Sequence, residues 1–255
     1  MAKIRKLLTI VFVSLLVIGL GGYIVYASLQ MSHPDLEARC KQVQLIVERG
    51  GTSKFVDQKS IETLLLKANL YPKGKLMAEV NTMEIEKVLM DNEFIADVQC
   101  YKSSNDKFCI KVRQREPVIY ILPEGRSGYF VDVTGKVISN TNYATNIITA
   151  TGTIDQKFAT TSLMELGAYI NEDPFWNSQI EQIYVEKNNV GKPVIELIPR
   201  VGDHIVRLGD VADYDKKLHR LKVFYDRAIG TVGWNKYAVI SLEYDNQIIC
   251  EKRVD

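Results

Sequence analysis

The side chains with the most chemical potential in this chain are few and scattered. Three histidines, His33, His204 and His219, are the natural candidates for acid–base work near neutral pH. His33 falls in a linker, His204 at a strand start and His219 on a helix among lysines, with no recognisable ligand pattern around them, so each reads as a solvated or capping residue. Ser104-Asn105-Asp106-Lys107 has the S-x-x-K spacing of penicillin-binding enzymes. That chemistry needs the serine at the opening of a helix and a Lys-Thr-Gly elsewhere. Here the serine falls on a predicted hairpin tip, and the chain contains no Lys-Thr-Gly. G-x-S-x-G and H-E-x-x-H are absent too. The Gly19, Gly21 and Gly22 cluster lies inside a long uncharged run and cannot serve as a phosphate loop.

Four cysteines among 255 residues are too few for a disulfide-dense scaffold, and no C-x-x-C occurs for redox or zinc chemistry. Cys100 shares an alternating face with Ala96 and Val98 and reads as a buried free thiol. Cys109 is out of phase with Phe108, Ile110 and Val112. A Cys40–Cys109 bridge stays open if those two strand starts are neighbours. Lysine and arginine total 32 against 31 acids, a formal charge of +1, which offers nucleic acid no bulk attraction. The one local concentration of charge is Lys216, Lys217, Arg220 and Lys222 on a helix, either a solvated face or a contact for an acidic partner.

The elements that must position these residues begin with a tail at 1–6. Leu7 to Ser28 follows without a charged side chain. As a helix it reaches about 33 Å, enough for a hydrocarbon core of roughly 30 Å. Lys3, Arg5 and Lys6 precede it, and the first acids follow it, so the positive-inside bias places the N-terminus in the cytoplasm. Val25-Tyr26-Ala27 resembles a signal cleavage site, but signal h-regions are shorter, and the length favours a retained single span. A linker at 29–39 leads to a strand around Val43–Val47, helices on Ile61/Leu64/Leu65/Ala68 and Ile85/Val88/Leu89, and two strands flanking residues 103–106. Asp57 or Ser60 and Asn81 supply the helix caps.

Glu116-Pro117 marks the expected boundary between a module at 40–115 and a strand-rich domain at 116–255. The latter has a hairpin turning at Val133-Thr134-Gly135, a helix through Leu163, Leu166 and Ile170, a meander from Ile180 to Leu208, and a helix on Tyr214, Leu218, Leu221 and Tyr225. Two last strands, Ala238–Tyr244 and Gln247–Lys252, close the chain. The expected class is α+β: a single N-terminal transmembrane helix, a β-α-α-β-β module, then a mixed β domain with two helices. A chain-terminal strand is often a sheet edge, whose unpaired N–H and C=O groups can accept a foreign strand; it can equally close its own sheet.

Phe94-Ile95-Ala96-Asp97-Val98, Arg115-Glu116-Pro117-Val118, Phe130-Val131-Asp132 with Gly135-Lys136-Val137, and Val239 to Asp245 occur in an order that, with the topology, resembles the FtsQ/DivIB bacterial cell-division proteins. The resemblance implies that the first module is a POTRA domain and the second the family's β domain. It further implies a non-enzymatic divisome component at the septum of the bacterial cytoplasmic membrane. Such a component holds the FtsB/DivIC–FtsL pair outside the membrane and helps to regulate septal peptidoglycan synthesis. By resemblance, the partner adds along the last strand, which here corresponds to Tyr244, Asn246, Gln247, Ile248, Ile249, Cys250, Glu251 and Lys252. A tryptophan expected near the end of that strand is replaced by Glu251-Lys252-Arg253. No cofactor, metal, nucleic acid or small-molecule substrate is implied. The rival reading is a membrane-anchored extracytoplasmic cell-wall enzyme or a sensor ectodomain, and an enzyme would show a deep pocket uniting His204 or His219 with carboxylates. A POTRA-containing outer-membrane assembly factor would need a barrel-forming strand series that the sequence lacks.

Overall fold

A computed structural model of the chain describes residues 2–31, 38–48, 55–103, 105–139 and 147–254. The uncharged run lies within one helix, α1 (Ala2–Met31). Its described side chains are those of residues 12–28, nearly all exposed; they account for about 26 Å of helix. Among the described residues no helix is long and apolar enough to cross a membrane. Most of the expected linker, residues 32–37, falls outside the described residues, as does Ser104.

By backbone contacts the chain forms two compact units. One comprises 1–46, 62–88 and 99–111; the other comprises 47–61, 89–98 and 112–255. The second therefore takes in two segments upstream of the expected boundary at Glu116. The order β1 (Gln42–Glu48), α2 (Gln58–Lys67), α3 (Thr82–Met90), β2 (Ile95–Ser103), β3 (Lys107–Gln114) matches the expected β-α-α-β-β run, and the strands form a sheet ordered β1-β3-β2. Both proposed caps form. The Asp57 carboxylate accepts the Ser60 N–H at 2.7 Å, and the Asn81 side chain accepts the Glu84 N–H at 3.3 Å.

The cysteine phase differs from the expectation. Phe108, Cys109 and Ile110 are all buried in succession, because β3 is the middle strand and is covered on both faces. In β2 the buried positions are Ile95 and Val98, and Cys100 is only half-buried. All four cysteines are free. Burial with the Glu86 carboxylate nearby pushes the Cys100 thiol up to about 12, which keeps it protonated and inert.

The remaining strands are β4 (Pro117–Pro123), β5 (Tyr129–Asp132), β6 (Val137–Ser139), β7 (Thr149–Gly152), β8 (Ile180–Lys187), β9 (Pro193–Pro199), β10 (Ile205–Gly209), β11 (Tyr237–Ser241) and β12 (Ile249–Lys252). They build one nine-stranded sheet in the order β12-β11-β10-β9-β8-β7-β4-β5-β6. The expected β8-β9-β10 meander is antiparallel, whereas β4–β7, β7–β8 and β10–β11 are parallel. Parallel neighbours need a crossover; helical stretches provide it for β7–β8 and β10–β11, whereas β5 and β6 lie between β4 and β7. Between β7 and β8 run α4 (Gln156–Phe158), a π turn (Ala159–Leu163), α5 (Met164–Glu172) and α6 (Pro174–Gln179). Between β10 and β11 run α7 (Tyr214–Phe224), a second π turn (Tyr225–Ile229) and α8 (Gly230–Val232). The two expected helices are thus each longer and interrupted, and the interruptions carry no propensity signature in the sequence.

Strand register makes the core one continuous row. Ile121, Ala150, Ile183, Leu197, Val206, Ile240 and Cys250 are successive partners across seven strands, and all but Cys250 are fully buried. Leu163, Leu166, Ile170, Trp176, Leu218, Leu221 and Ile229 from the helical stretches join the same cluster. The adjacent row, Leu122, Thr151, Tyr184, Glu196, Arg207, Ser241 and Ile249, projects from the opposite face, because successive strand residues alternate sides.

The β5–β6 turn is organised by a buried carboxylate. Asp132, 2% exposed, accepts the Thr134 N–H at 2.8 Å, the Thr134 hydroxyl at 2.6 Å and the Lys136 N–H at 2.9 Å on one oxygen, and Arg115 Nη1 at 2.7 Å on the other. Gly135 completes the turn at φ +77°, and a Cβ there would stand 2.6 Å from the Thr160 carbonyl oxygen. Burial alone would raise the Asp132 pKa, but the hydrogen bonds from Thr134, Arg115 and Lys136 outweigh it and leave the carboxyl below its ordinary value. Its stabilisation is therefore fully present above about pH 4, the ordinary value for an unfolded aspartate, and is lost as pH falls toward the lower folded value. Asp132→Ala strands the Arg115 guanidinium and should cost about 3 to 5 kcal/mol in chemical denaturation; wild-type-like stability at neutral pH would refute that account of the turn.

Candidate partner-docking edge

The C-terminal strand occupies the end of the nine-stranded sheet, and β11 is its one strand neighbour among the described residues. Only Ile249 to Lys252 are in strand conformation. Tyr244, 54% exposed, and Asn246, Gln247 and Ile248 lie in the preceding turn, where Asn246 takes a left-handed φ of +60°. The expected final pair of strands is shorter than its apolar pattern suggests, because this turn uses up both inner ends.

The direction of each backbone group on β12 follows from two hydrogen bonds. Leu242 N–H donates to the Arg207 carbonyl at 2.8 Å, so even-numbered residues of this stretch aim their N–H and C=O groups at β10. The odd-numbered ones then face β12. Arg253 N–H donates to the Lys236 carbonyl at 3.1 Å, which places the odd-numbered residues of β12 toward β11. Ile249 and Glu251 are therefore bonded inward through their partners Ser241 and Val239, while Cys250 and Lys252 turn their N–H and C=O groups outward. The side chains alternate in the other plane. Cys250 packs on the core, and burial pushes its thiol up. Ile249, 43% exposed, stands on the open face.

Beside the start of β12 is a groove of about 390 Å³ lined by Asn246, Gln247 and Ile248 on one side. His219, Arg220, Val223, Phe224, Arg227 and Ala228, from α7 and its π turn, line the other. Its lining combines the apolar Val223, Phe224, Ala228 and Ile248 with the cationic Arg220 and Arg227, and no carboxylate lines it. Sequence reading missed His219, Arg227, Val223 and Phe224 as neighbours of the last strand. The available signal was the i, i+4 and i+8 spacing of His219, Val223 and Arg227, but nothing local says which strand that face meets.

The basic run on α7 is not a uniform solvated face. Lys217 is buried and donates to the Asp210 carbonyl at 2.9 Å and carboxylate at 2.7 Å. Arg220 Nη2 donates to the Leu242 carbonyl at 3.0 Å, and the Lys222 ammonium lies 4.6 Å from the Phe175 ring centroid. Lys216 pairs with Asp213 at 2.6 Å. The four cations are thus largely engaged within the chain.

The histidines do not converge. His204 is buried among Tyr225 and Trp234, His219 lines the groove, and His33 lies outside the described residues. No cluster of three metal-ligating side chains occurs among the described residues. A larger concavity, about 750 Å³, opens at the β4–β5 loop around Arg126, Thr151 and Tyr184, away from both histidines.

The three-stranded module and the large mixed sheet that follows it each match a known sequence family. Residues 38–113 match the POTRA-like domain, and residues 116–251, more than half of the chain, match the family described as FtsQ/DivIB, C-terminal related. The chain belongs to the FtsQ/DivIB family and is a cell-division protein. No curated protein sequence matches it.

The backbone directions give a test in the isolated protein. Ile249→Pro removes an inward bond to β11 and should raise amide exchange throughout 249–252, whereas Lys252→Pro removes an outward N–H and should leave the exchange of Ile249 and Glu251 within about threefold of wild type. The reverse ranking would overturn the assignment of inward and outward groups.

Proposed function

We propose that the chain is a non-enzymatic, single-span scaffold of the divisome that captures the FtsB/DivIC–FtsL pair by strand addition at β12. In this reading Leu7 to Ser28 within α1 crosses the cytoplasmic membrane with the N-terminus inside. The module at 40–115 and the domain at 116–255 lie outside, at the division septum. Support for the span is the charge-free run itself, which begins before the first described side chain of α1, together with the apolar side chains exposed from Phe12 to Tyr26. The observation that carries the docking proposal is the sheet edge: β12 has outward N–H and C=O groups at Cys250 and Lys252 and no second strand neighbour among the described residues.

The groove adds side-chain selectivity to this main-chain affinity. A lining that mixes Val223, Phe224 and Ile248 with Arg220 and Arg227 suits a partner segment that presents an apolar side chain next to an acidic one. Tyr244 and Asn246 to Ile248 then form the entry to the strand, and Ile249 to Lys252 the pairing stretch. The partner's hold on septal peptidoglycan synthesis is the route by which capture would regulate division.

Lys252→Pro in the full-length protein should lower recovery of the FtsB/DivIC-like partner at least about tenfold in detergent co-purification. Arg227→Glu should lower it most strongly at low salt. Full recovery with a folded Lys252→Pro protein would overturn strand addition. Depletion of the protein should give filamentous, undivided cells, and normal septation on depletion would remove the division role altogether.

A further inference from the structure

His204 has no part in the docking geometry, yet it is the most deeply buried titratable group near β12, at 2% exposure. Its Nε2 is 2.8 Å from the Tyr225 hydroxyl, the first residue of the second π turn. Its ring stacks on Trp234 at 6.2 Å between centroids, and Nδ1 is buried without a well-formed hydrogen bond, the Trp234 backbone carbonyl being its polar neighbour. The next residue back, Asp203, holds the end of the chain. Arg253 Nη2 donates to the Asp203 carbonyl at 2.7 Å, and Nη1 lies 3.4 Å from its carboxylate. Arg253 also donates its backbone N–H to Lys236, and Asp203 N–H is held by the Asn235 side chain at 3.3 Å. One small cluster of three chain segments, 202–204, 233–236 and 253, therefore pins the outer end of a four-residue edge strand.

We infer that His204 is a proton-operated latch on β12: neutral imidazole keeps the Asp203–Arg253 clamp closed, and protonation loosens it so that the terminal strand frays from the sheet. The charged and titratable groups facing the ring are Tyr225 from the π turn, Asp203 from its own loop and Arg253 from the chain end; the 233–236 turn presents the Trp234 indole, while the Lys236 ammonium lies over the Tyr237 ring. A proton on the imidazole makes both ring nitrogens donors. The new charge repels Arg253 and draws the Asp203 carboxylate away from it, so both halves of the clamp weaken together. Lacking Arg253, β12 has a single neighbour and four residues to hold it.

Burial holds the imidazole below its ordinary value; the Trp234 carbonyl opposes this, Arg253 adds to it, and Asp203 opposes it. For a histidine depressed in the folded state, the stabilisation is full above about pH 6.5 and is lost as pH falls toward the folded value. The latch is thus closed at neutral pH and opens on mild acidification. The inference goes beyond the docking proposal, since the order of β12 is measured in the protein alone and stands or falls without any partner.

The test is amide exchange of the full-length protein in lipid nanodiscs at about pH 7.5 and about pH 5, corrected for intrinsic rates. Protection of residues 249–253 should fall at least about tenfold more than that of β8. In His204→Gln this difference should vanish, and in Arg253→Ala the strand should be poorly protected at both pH values. Equal protection in the wild type at both pH values, an undiminished pH effect in folded His204→Gln, or full protection in Arg253→Ala would each overturn the latch. Should His204→Gln not fold, the wild-type imidazole can be titrated by NMR. A midpoint that coincides with the loss of β12 protection supports the latch, and one more than about a unit away refutes it.

Discussion

An edge strand leaves half of its backbone hydrogen-bonding groups without a strand partner, and that constraint governs the C-terminal end of this protein. Proteins usually blunt such an edge with charge, proline, bulges or a covering element. Here the blunting is light. Glu251 and Lys252 supply charge, a register shift lies between Tyr237 and Val239, and the strand is only four residues long. At the opposite end of the same sheet, by contrast, the Ser139 N–H of β6 is taken by the Glu93 carboxylate at 2.9 Å. The two ends of one sheet are managed differently, and the lightly guarded end is the one next to the groove lined by Phe224 and Arg227.

What holds that end in place is mostly polar and comes from outside the strand. The row of buried side chains from Ile121 to Ile240 makes β11 a core strand, but β12 contributes only Cys250 and the preceding Ile248 to the core. Arg220 secures the Leu242 carbonyl, and Arg253 is clamped on Asp203. The first of these contacts joins the terminal segment to α7, and the second to the loop that leads into β10. An edge positioned in this way is ordered enough to present its amides in register, while its attachment depends on few groups. Docking by main-chain pairing requires that combination: a rigid template on one side, and free N–H and C=O groups on the other.

Charge on α7 shows how tertiary structure redistributes a sequence feature. Lys216, Lys217, Arg220 and Lys222 are close in sequence and read as one basic face. In the fold, Lys217 turns into the interior toward Asp210, Lys222 lies on Phe175, and Arg220 caps a carbonyl. The cation lining the groove without such an anchor in the hydrogen bonds and ion pairs above is Arg227, one π turn further on, which no run of charges had marked.

Local signals were sufficient for elements whose stability is local or whose pattern has one period. The charge-free run, the capping residues Asp57 and Asn81, the turn at Val133-Thr134-Gly135 and the meander from Ile180 to Leu208 were all legible, because each shows in the pattern of residues close in the chain. Four residue stretches in fixed order carried the family. The parallel pairings of β4, β7 and β8, the doubly buried β3 with Cys109, the π turns and the aim of each β12 amide were not legible. These depend on which strand lies beside which, and strand order is set by long-range packing that leaves no trace in a single strand's periodicity. By itself, then, the chain of residues determined the elements, their sequence and the family. Only the tertiary structure decided that the last strand lies at a sheet edge beside a cationic groove, because an edge is defined by the absence of a neighbour, and a neighbour exists only once the whole sheet has been assembled.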